Sequence, residues 1–151
     1  MRVLLAGAGI GGLTSALALH QRGIEACVFE SARELAPLGV GINLLPHSMA
    51  EIAALGLLEE IAALGVPTSE LCYYNRHGQL IWREPRGLDA GYPVPQVSVH
   101  RGRLQLALLE LVRSRLGRAA LRTGCQLDAF ENEGASRICA RFTDRTSGAI
   151  F

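Results

Sequence analysis

The first thirty residues alternate between apolar and glycine-rich stretches. Val3 to Ala6 is an all-apolar segment, which is typical of a buried strand in a parallel sheet. Apolar positions at helical spacing follow, and Gly23 is placed to end that helix. A second apolar segment, Ala26 to Phe29, ends on the acid Glu30. The pattern therefore predicts a strand, a glycine turn, a helix and a second strand; the positions at helical spacing are Leu13, Ala16, Leu17 and His20.

The predicted turn is the run Gly7-Ala8-Gly9-Ile10-Gly11-Gly12. Gly7 allows a sharp turn out of the strand, Gly9 allows the backbone to approach a diphosphate, and Gly12 allows the helix to pack closely on the sheet. The diphosphate then binds the free N–H groups at the positive end of the helix dipole. An ordinary tight turn is the alternative, but strand, helix, second strand and terminal acid all fall in register, which favours a dinucleotide site.

Glu30 lies 18 residues beyond Gly12, where an acid accepts hydrogen bonds from a ribose 2′-hydroxyl. A carboxylate at this position repels a 2′-phosphate, so we expect an unphosphorylated adenosine half. Ser31 and Arg33 follow directly, and Arg33 leaves the same strand end. This arginine is either a ligand of the ribose or diphosphate or a solvated loop residue.

The middle of the chain changes its pattern twice. Pro37 to Asn43 has neither helical nor strand period and predicts a loop that brings bare backbone close to a ligand, or else a turn. Ser48 to Leu64 has a helical pattern broken by Gly56, which predicts two short helices. From Thr68 the period is that of a hairpin, with strands at 71–74 and 79–82 and a turn at 75–78.

Val97 to Val99 predicts another strand, followed by a helix from about Arg101 to Leu116 that ends at Gly117. Leu104, Leu108, Leu111 and Val112 line one face of this helix. Its first turn is crowded with His100, Arg101 and Arg103, and each cation there is disfavoured by roughly 0.3–1 kcal/mol. A bound diphosphate would remove this conflict, and a solvated basic corner is the alternative.

The remaining segments alternate as strands do, over 120–122, 126–130 and 137–142. A turn at Asp144 to Gly148 follows, and Ala149 to Phe151 begins a return strand. We therefore expect the sequence to be cut off within a hairpin.

Composition narrows the functional classes. The 151 residues carry a formal charge of +1, and the basic residues, all arginine, are scattered. No basic tract suggests nucleic acid or an anionic membrane. The uncharged stretch 3–21 imitates a secretory signal, but glycines interrupt it, and no apolar run is long enough to span a bilayer. We expect a cytoplasmic protein without a metal site, in which the four separated cysteines are small buried apolar residues.

Taken together, these segments resemble the N-terminal part of the class A flavoprotein monooxygenases, the aromatic hydroxylases of the para-hydroxybenzoate, salicylate and phenazine type. The resemblance covers essentially the whole chain. It is carried by Gly7 to Gly12 with Glu30, by Pro37 to Asn43, and by Ser98 to Gly102 with Leu104-Gln105. The last two segments are much more specific than the first.

This resemblance implies an α/β fold with a Rossmann-like FAD-binding βαβ sheet. It makes 1–151 the incomplete N-terminal part of an FAD-binding domain, with a β-hairpin excursion at about 68–96 that belongs to the substrate-domain sheet. The glycines would hold the FAD diphosphate, Glu30 the ribose, and the backbone of Leu127 the adenine. The implied cofactor-binding positions are Gly7, Gly9, Ile10, Gly11, Gly12, Glu30, Ser31, Arg33, Val40, Gly41, Arg101 and Leu127.

In this family NAD(P)H reduces FAD, O2 adds to the reduced flavin, and the hydroperoxide transfers one oxygen to a small aromatic substrate. No Ser-His-Asp set is needed, because the cofactor carries the chemistry. The family's later D-G and G-D motifs would lie beyond Phe151, so we expect residues 1–151 alone to have weak or no hydroxylase activity. A nicotinamide-linked dehydrogenase, for which Glu30 is equally suitable, and a non-catalytic nucleotide-binding module are the alternatives.

Overall fold

The computed structural model describes residues 1–134 and 137–151, and the chain divides into two compact units. Unit 1 comprises residues 1–36 and 105–151, and unit 2 comprises residues 37–104.

A three-stranded parallel sheet forms the base of unit 1. Strands β1 (Arg2–Ala6), β2 (Glu25–Glu30) and β8 (Leu121–Thr123) pair in the order β1-β2-β8. Helix α1 (Ile10–Gln21) connects β1 with β2. Four consecutive residues of β2 are buried, as expected for a strand covered on both faces. The Rossmann-like βαβ unit predicted from the sequence is confirmed.

Helix α4 spans Arg101–Leu116, as predicted, and Gly117 follows it with a φ of 85°. Its buried residues differ slightly from the expected face, because Leu109 is buried and Leu111 is only half-buried. The chain then passes through a short 3-10 turn, Arg118–Ala120, into β8.

An antiparallel hairpin completes unit 1. Its strands are β9 (Cys125–Asn132) and β10 (Ile138–Asp144), as the alternating pattern predicted. Beyond the turn at 144–148, the backbone of Phe151 exchanges two hydrogen bonds with Phe142, of 2.9 and 3.0 Å. The rings of Phe29 and Phe142 stack with centroids 4.1 Å apart, beside buried Cys27 and Cys125. These aromatic contacts fix the hairpin against β2.

Unit 2 contains an antiparallel sheet of strands β3 (Gly41–Leu44), β7 (Gln96–His100) and β4 (Gly65–Thr68), in the order β3-β7-β4. Helices α2 (Pro46–Ala54) and α3 (Leu58–Ala62) are the two short helices predicted on either side of Gly56. Met49, Val94 and Val97 pack together as one buried cluster of this unit.

Two strands of unit 2 differ from the sequence-based expectation. Gly41 to Asn43 is not loop but part of β3, where it pairs with β7. Strand β4 was not predicted, because it contains Pro67; it lies at a sheet edge, where proline is tolerated. Both segments form strands because they pair with β7. The local sequence pattern does not show that such a partner strand is present.

The hairpin of β5 (Glu70–Tyr74) and β6 (Leu80–Pro85) is confirmed, and it is narrower than the predicted excursion. Thr68 belongs to β4 and Gln96 to β7, while a 3-10 turn covers Gly87–Ala90. The side-chain oxygen of Asn75 accepts hydrogen bonds from two backbone N–H groups of the turn, which fixes its geometry.

The expectation for the cysteines holds for half of them. Cys27 and Cys125 are buried, but Cys72 is half-buried and Cys139 is exposed. Cys139 lies at an exposed position of β10, so the apolar character of its strand does not bury it.

Candidate functional site

The glycine turn between β1 and α1 depends on two of its glycines. Gly7 adopts a φ of 108°, a conformation that side chains disfavour, while its N–H donates to the Phe29 carbonyl at 2.7 Å. A Cβ at Gly12 would overlap the carbonyl oxygen of Gly7. The turn therefore closes tightly between the end of β1 and the first turn of the helix.

The other glycines leave backbone open. Gly9 is the N-cap of α1, with no side-chain cap, and the first turn contains no acidic residue. The N–H groups of Ile10, Gly11 and Gly12 have no acceptor within the helix, as is general for a first turn. A Cβ at Gly9 or Gly11 would meet no atom within 4 Å. These amides and the helix dipole form an uncovered site that suits an anion.

The carboxylate of Glu30 lies against this turn, as its spacing predicted. Its Oε2 accepts the N–H of Ala8 at 2.7 Å, and its Oε1 accepts the N–H of Ala32 at 2.7 Å and the Ser31 hydroxyl at 3.2 Å. Burial acts to raise the pKa of Glu30, but these hydrogen bonds outweigh it and the pKa is lowered. The group is therefore ionised at neutral pH. Each carboxylate oxygen has two acceptor sites, so Oε2 retains capacity for a ligand hydroxyl.

Arg33 makes a contact that the sequence did not indicate. Its Nη2 donates to the carbonyl of Arg145 at 2.6 Å, in the turn after β10. The same region is joined by backbone bonds from Gly124 to Ala32 and from Arg145 to Gly124. Arg33 therefore ties the end of β2 to the hairpin. The guanidinium has further N–H donors, so a contact of Arg33 with the ribose or diphosphate stays a prediction.

In unit 2 the structure brings together Val40, Gly41 and Arg101. The carbonyl of Val40 accepts the N–H of Arg101 at 3.1 Å, and Gly41 pairs with His100. A Cβ at Gly39, whose φ is 123°, would lie 2.6 Å from Nε of Arg101. The Val40 side chain is 74% exposed. The start of α4 is thus fixed against the loop that precedes β3.

The first turn of α4 is also partly capped by the side chain of His100, the last residue of β7. His100 Nδ1 accepts the N–H of Arg103 at 3.4 Å, a long hydrogen bond. Gly102 is required at this place, because a Cβ there would overlap the backbone of Pro37. Arg101, Arg103 and the exposed loop before β3 therefore lie at the start of α4.

Leu127 lies in β9 opposite Phe142. With Val3, Leu4 and Phe130 it lines an apolar cavity of about 400 Å³ in unit 1. The side-chain hydrogen bonds to Ala8 of the glycine turn come from Glu30 and Gln105. The contact of Leu127 with adenine stays a prediction.

Sequence reasoning gave Gln105 no role. Its Nε2 donates to the carbonyl of Ala8 at 2.9 Å, so it contacts the glycine turn from helix α4. The sequence did contain one signal, because Gln105 is the polar residue in the otherwise apolar run Leu104 to Leu109. An amide side chain that is half-buried in such a run needs a hydrogen-bond partner.

Within residues 1–134 and 137–151, no group of three or more His, Cys, Asp and Glu side chains is arranged to hold a metal ion. No helix in this part of the chain combines the length and apolar character needed to cross a membrane.

Comparisons with known proteins agree with this geometry. The FAD binding domain family matches residues 1–151. Phenazine 1,6-dicarboxylic acid hydroxylase PhzS of Lysobacter antibioticus is 56% identical over 131 residues, which is 86% of this chain and 32% of that protein. The 3-hydroxybenzoate 6-hydroxylase of Polaromonas naphthalenivorans is 39% identical over 111 residues, or 72% of this chain and 28% of that protein.

A solved structure shows the same fold. The structure of Klebsiella pneumoniae HpxO complexed with FAD and uric acid matches with a TM-score of 0.78 and 26% identity, over 100% of this chain and 36% of that chain. The chain spans about a third of the length of these relatives. The match to an FAD-binding family favours FAD over the nicotinamide-linked alternative. The chain belongs to the FAD binding domain family, together with the FAD-dependent aromatic hydroxylases, and FAD is its cofactor.

Proposed function

We propose that this chain provides the diphosphate- and adenosine-binding part of the FAD site in a monooxygenase that hydroxylates a small aromatic substrate. The observation that carries the proposal is the open first turn of α1, with the ionised carboxylate of Glu30 fixed beside it. Aromatic hydroxylation is supported by the names of the relatives, two of which are hydroxylases of a phenazine dicarboxylic acid and of 3-hydroxybenzoate.

The nucleotide half of FAD would bind in unit 1. The N–H groups of Ile10, Gly11 and Gly12 donate to the diphosphate, and Gly9 provides the space for it because it has no side chain. Glu30 accepts hydrogen bonds from the adenosine ribose. Ser31, Arg33 and the backbone of Leu127 complete the proposed contacts with ribose and adenine.

In unit 2, the Val40 and Gly41 backbone would lie toward the flavin end, and Arg101 would contact FAD from the start of α4. The packing of Arg101 on Gly39 and its backbone bond to Val40 support this role, since they place the guanidinium next to an exposed loop. Residues 1–151 would then be the N-terminal part of an FAD-binding domain. The hairpin of β5 and β6 would be its substrate-side excursion.

FAD, when bound, supplies electron transfer from NAD(P)H and the activation of O2 for oxygen transfer to the aromatic ring. The described residues bind and orient the cofactor, and the chemistry itself is the cofactor's. A cytoplasmic location belongs to the same proposal, because reduced nicotinamide nucleotide is its reductant.

The test is FAD binding by the purified chain, measured by visible absorbance and by quenching of flavin fluorescence. Gly9→Ala should fold normally, because its Cβ meets no protein atom, yet weaken FAD binding at least about tenfold. Ser15→Ala, an exposed change in the same helix, is the control and should bind FAD as the wild type does. Thermal unfolding of each variant separates loss of the fold from loss of the site.

Two outcomes would contradict the proposal. A colourless chain that binds NAD but not FAD would favour the dehydrogenase, and unchanged FAD affinity in Gly9→Ala would place the diphosphate elsewhere. NADH-driven hydroxylation of salicylate or a phenazine by residues 1–151 alone would refute the expectation of weak activity.

A further inference from the structure

We propose that Gln105 is a positioning residue for FAD binding, acting with Glu30 to hold the Ala8 residue of the glycine turn from both sides. This inference rests on the proposed function. It assigns a role to a side chain on helix α4 that would not itself touch the cofactor.

Glu30 and Gln105 form a clamp, meaning two side-chain hydrogen bonds that hold the backbone of Ala8. The N–H of Ala8 donates to Glu30 Oε2 at 2.7 Å, and the carbonyl of Ala8 accepts from Gln105 Nε2 at 2.9 Å. Ala8 itself is fully buried. Both peptide groups that flank Ala8 are therefore fixed, one by the end of β2 and the other by α4.

The clamp determines which amides remain for a ligand. The N–H of Gly7 is used by Phe29 and that of Ala8 by Glu30, whereas the carbonyl of Gly9 accepts the N–H of Leu13. The amides that follow have no helical acceptor and are the ones proposed to bind the diphosphate. A rotation of the Ala8–Gly9 peptide would redirect the Gly9 N–H, and Gln105 opposes that rotation by holding its carbonyl.

Gly7 and Gly9 make this restraint necessary. Gly7 lies at a φ of 108°, and an added Cβ would meet nothing within 4 Å at either glycine, so neither is held by side-chain packing of its own. Glycine also has the widest range of backbone conformations. The hydrogen bonds to Ala8, the residue between them, therefore supply the restraint, and Gln105 donates one of them from helix α4.

The experiment compares Gln105→Met, which keeps the size of the side chain and removes the donor, with Gln105→Glu, which keeps its shape and replaces the NH2 by an oxygen. Gln105→Met should raise the FAD dissociation constant of the full chain about three- to tenfold, the equivalent of one hydrogen bond. Gln105→Glu should raise it at least as much, because its carboxylate cannot donate and also repels the Ala8 carbonyl oxygen. Gln126→Met and Gln126→Glu, at an exposed position of β9, are matched controls and should leave the constant unchanged.

A local readout separates positioning from general destabilisation. Amide hydrogen exchange measured by NMR on the FAD-free chain should accelerate at Ala8 and its neighbours in the turn, while β2 and the β9–β10 hairpin keep wild-type protection. Wild-type FAD affinity in both Gln105 variants would overturn the inference while leaving the proposed function intact. Loss of protection throughout unit 1 would also overturn it, because Gln105 would then be structural. Failure of the wild-type chain to bind FAD would instead refute the proposed function.

Discussion

Two neighbouring glycines of helix α1 have opposite surroundings, and this gives a prediction at the scale of the residue. A Cβ at Gly12 would overlap the carbonyl oxygen of Gly7, whereas a Cβ at Gly11 would meet nothing within 4 Å. Gly12→Ala should therefore lower the free energy of unfolding by about 1–3 kcal/mol, as overpacking does. Gly11→Ala should raise it by about 0.5–1 kcal/mol, because alanine favours the helix. Urea denaturation of the two variants measures both changes in the free energy of unfolding. Equal stabilities of Gly12→Ala and Gly11→Ala would contradict the tight turn.

The carboxylate of Glu30 makes the stability of the chain depend on pH. Its pKa is lowered in the folded state from the ordinary value of 4.5, so the unfolded state binds the proton more readily. The stabilisation from Glu30 is present in full above the unfolded pKa, and it is lost as the pH falls through the lower folded pKa. Between about pH 6 and pH 3 the wild type should lose more stability than Glu30→Gln does.

The measurement is urea denaturation of both proteins at several pH values in that range. Glu133→Gln, an exposed substitution away from the turn, controls for the removal of one negative charge. If wild type and Glu30→Gln decline in parallel, the hydrogen bonds from Ala8 and Ala32 contribute nothing to folding.

The sequence predicted site residues well where the requirement is local. The need for glycine at positions 7 and 12 follows from the backbone of one turn, and the structure shows the reason at each position. It did not predict Gln105, because the partner of this side chain is 97 residues away in the chain. Arg33 illustrates the same limit, since its bond to Arg145 depends on how the hairpin folds back.

At the scale of the element, the β9–β10 hairpin is stabilised by an aromatic cluster. Phe142 is 3% exposed and stacks on Phe29 and Phe151, whereas Phe130 on the neighbouring strand is 64% exposed. Phe142→Ala should therefore lower the free energy of unfolding by about 3–5 kcal/mol. Phe130→Ala, the same substitution in the same hairpin, should change it by less than about 0.5 kcal/mol. Similar losses in the two variants, measured by thermal or urea unfolding, would contradict the observed packing.

Elements were predictable in proportion to their internal pattern. Helix α4 begins and ends where its apolar spacing and Gly117 indicated, because a sixteen-residue helix carries its own period. Strands β3 and β4 have four residues each and contain glycine or proline. Their conformation comes from pairing with β7, which begins 28 residues after the end of β4 and 52 residues after the end of β3. Such short strands cannot be distinguished from loops without knowing their partner.

At the scale of the whole molecule, the proposed ligands of FAD fall in both compact units. The residues proposed to bind the diphosphate and adenosine belong to unit 1, and Val40, Gly41 and Arg101 belong to unit 2. A ligand that binds the folded chain raises its stability by mass action, by about 2.7 kcal/mol at a hundred times its dissociation constant. Nucleotide fragments of FAD carry only the groups proposed to bind unit 1. If they bind there, they should raise the melting temperature of the chain.

The proposed site predicts that the carboxylate at the end of β2 makes the chain selective among such nucleotides. Adenosine 5′-monophosphate and adenosine 2′,5′-bisphosphate share base, ribose and 5′-phosphate, and differ only in the group at the 2′ position. Glu30 is ionised at neutral pH, so in the proposed site it would repel a 2′-phosphate and accept a hydrogen bond from a 2′-hydroxyl. Like charges about 4 Å apart cost at least about 1 kcal/mol, so the monophosphate should bind at least about fivefold more tightly than the bisphosphate. Glu30→Gln should narrow this ratio toward one, because it removes the charge and keeps the shape of the side chain.

Competition of each nucleotide with FAD, followed by flavin fluorescence in wild type and variant, measures the ratio directly. Equal affinities in the wild type would show that Glu30 does not face the ribose, whatever else binds at the glycine turn.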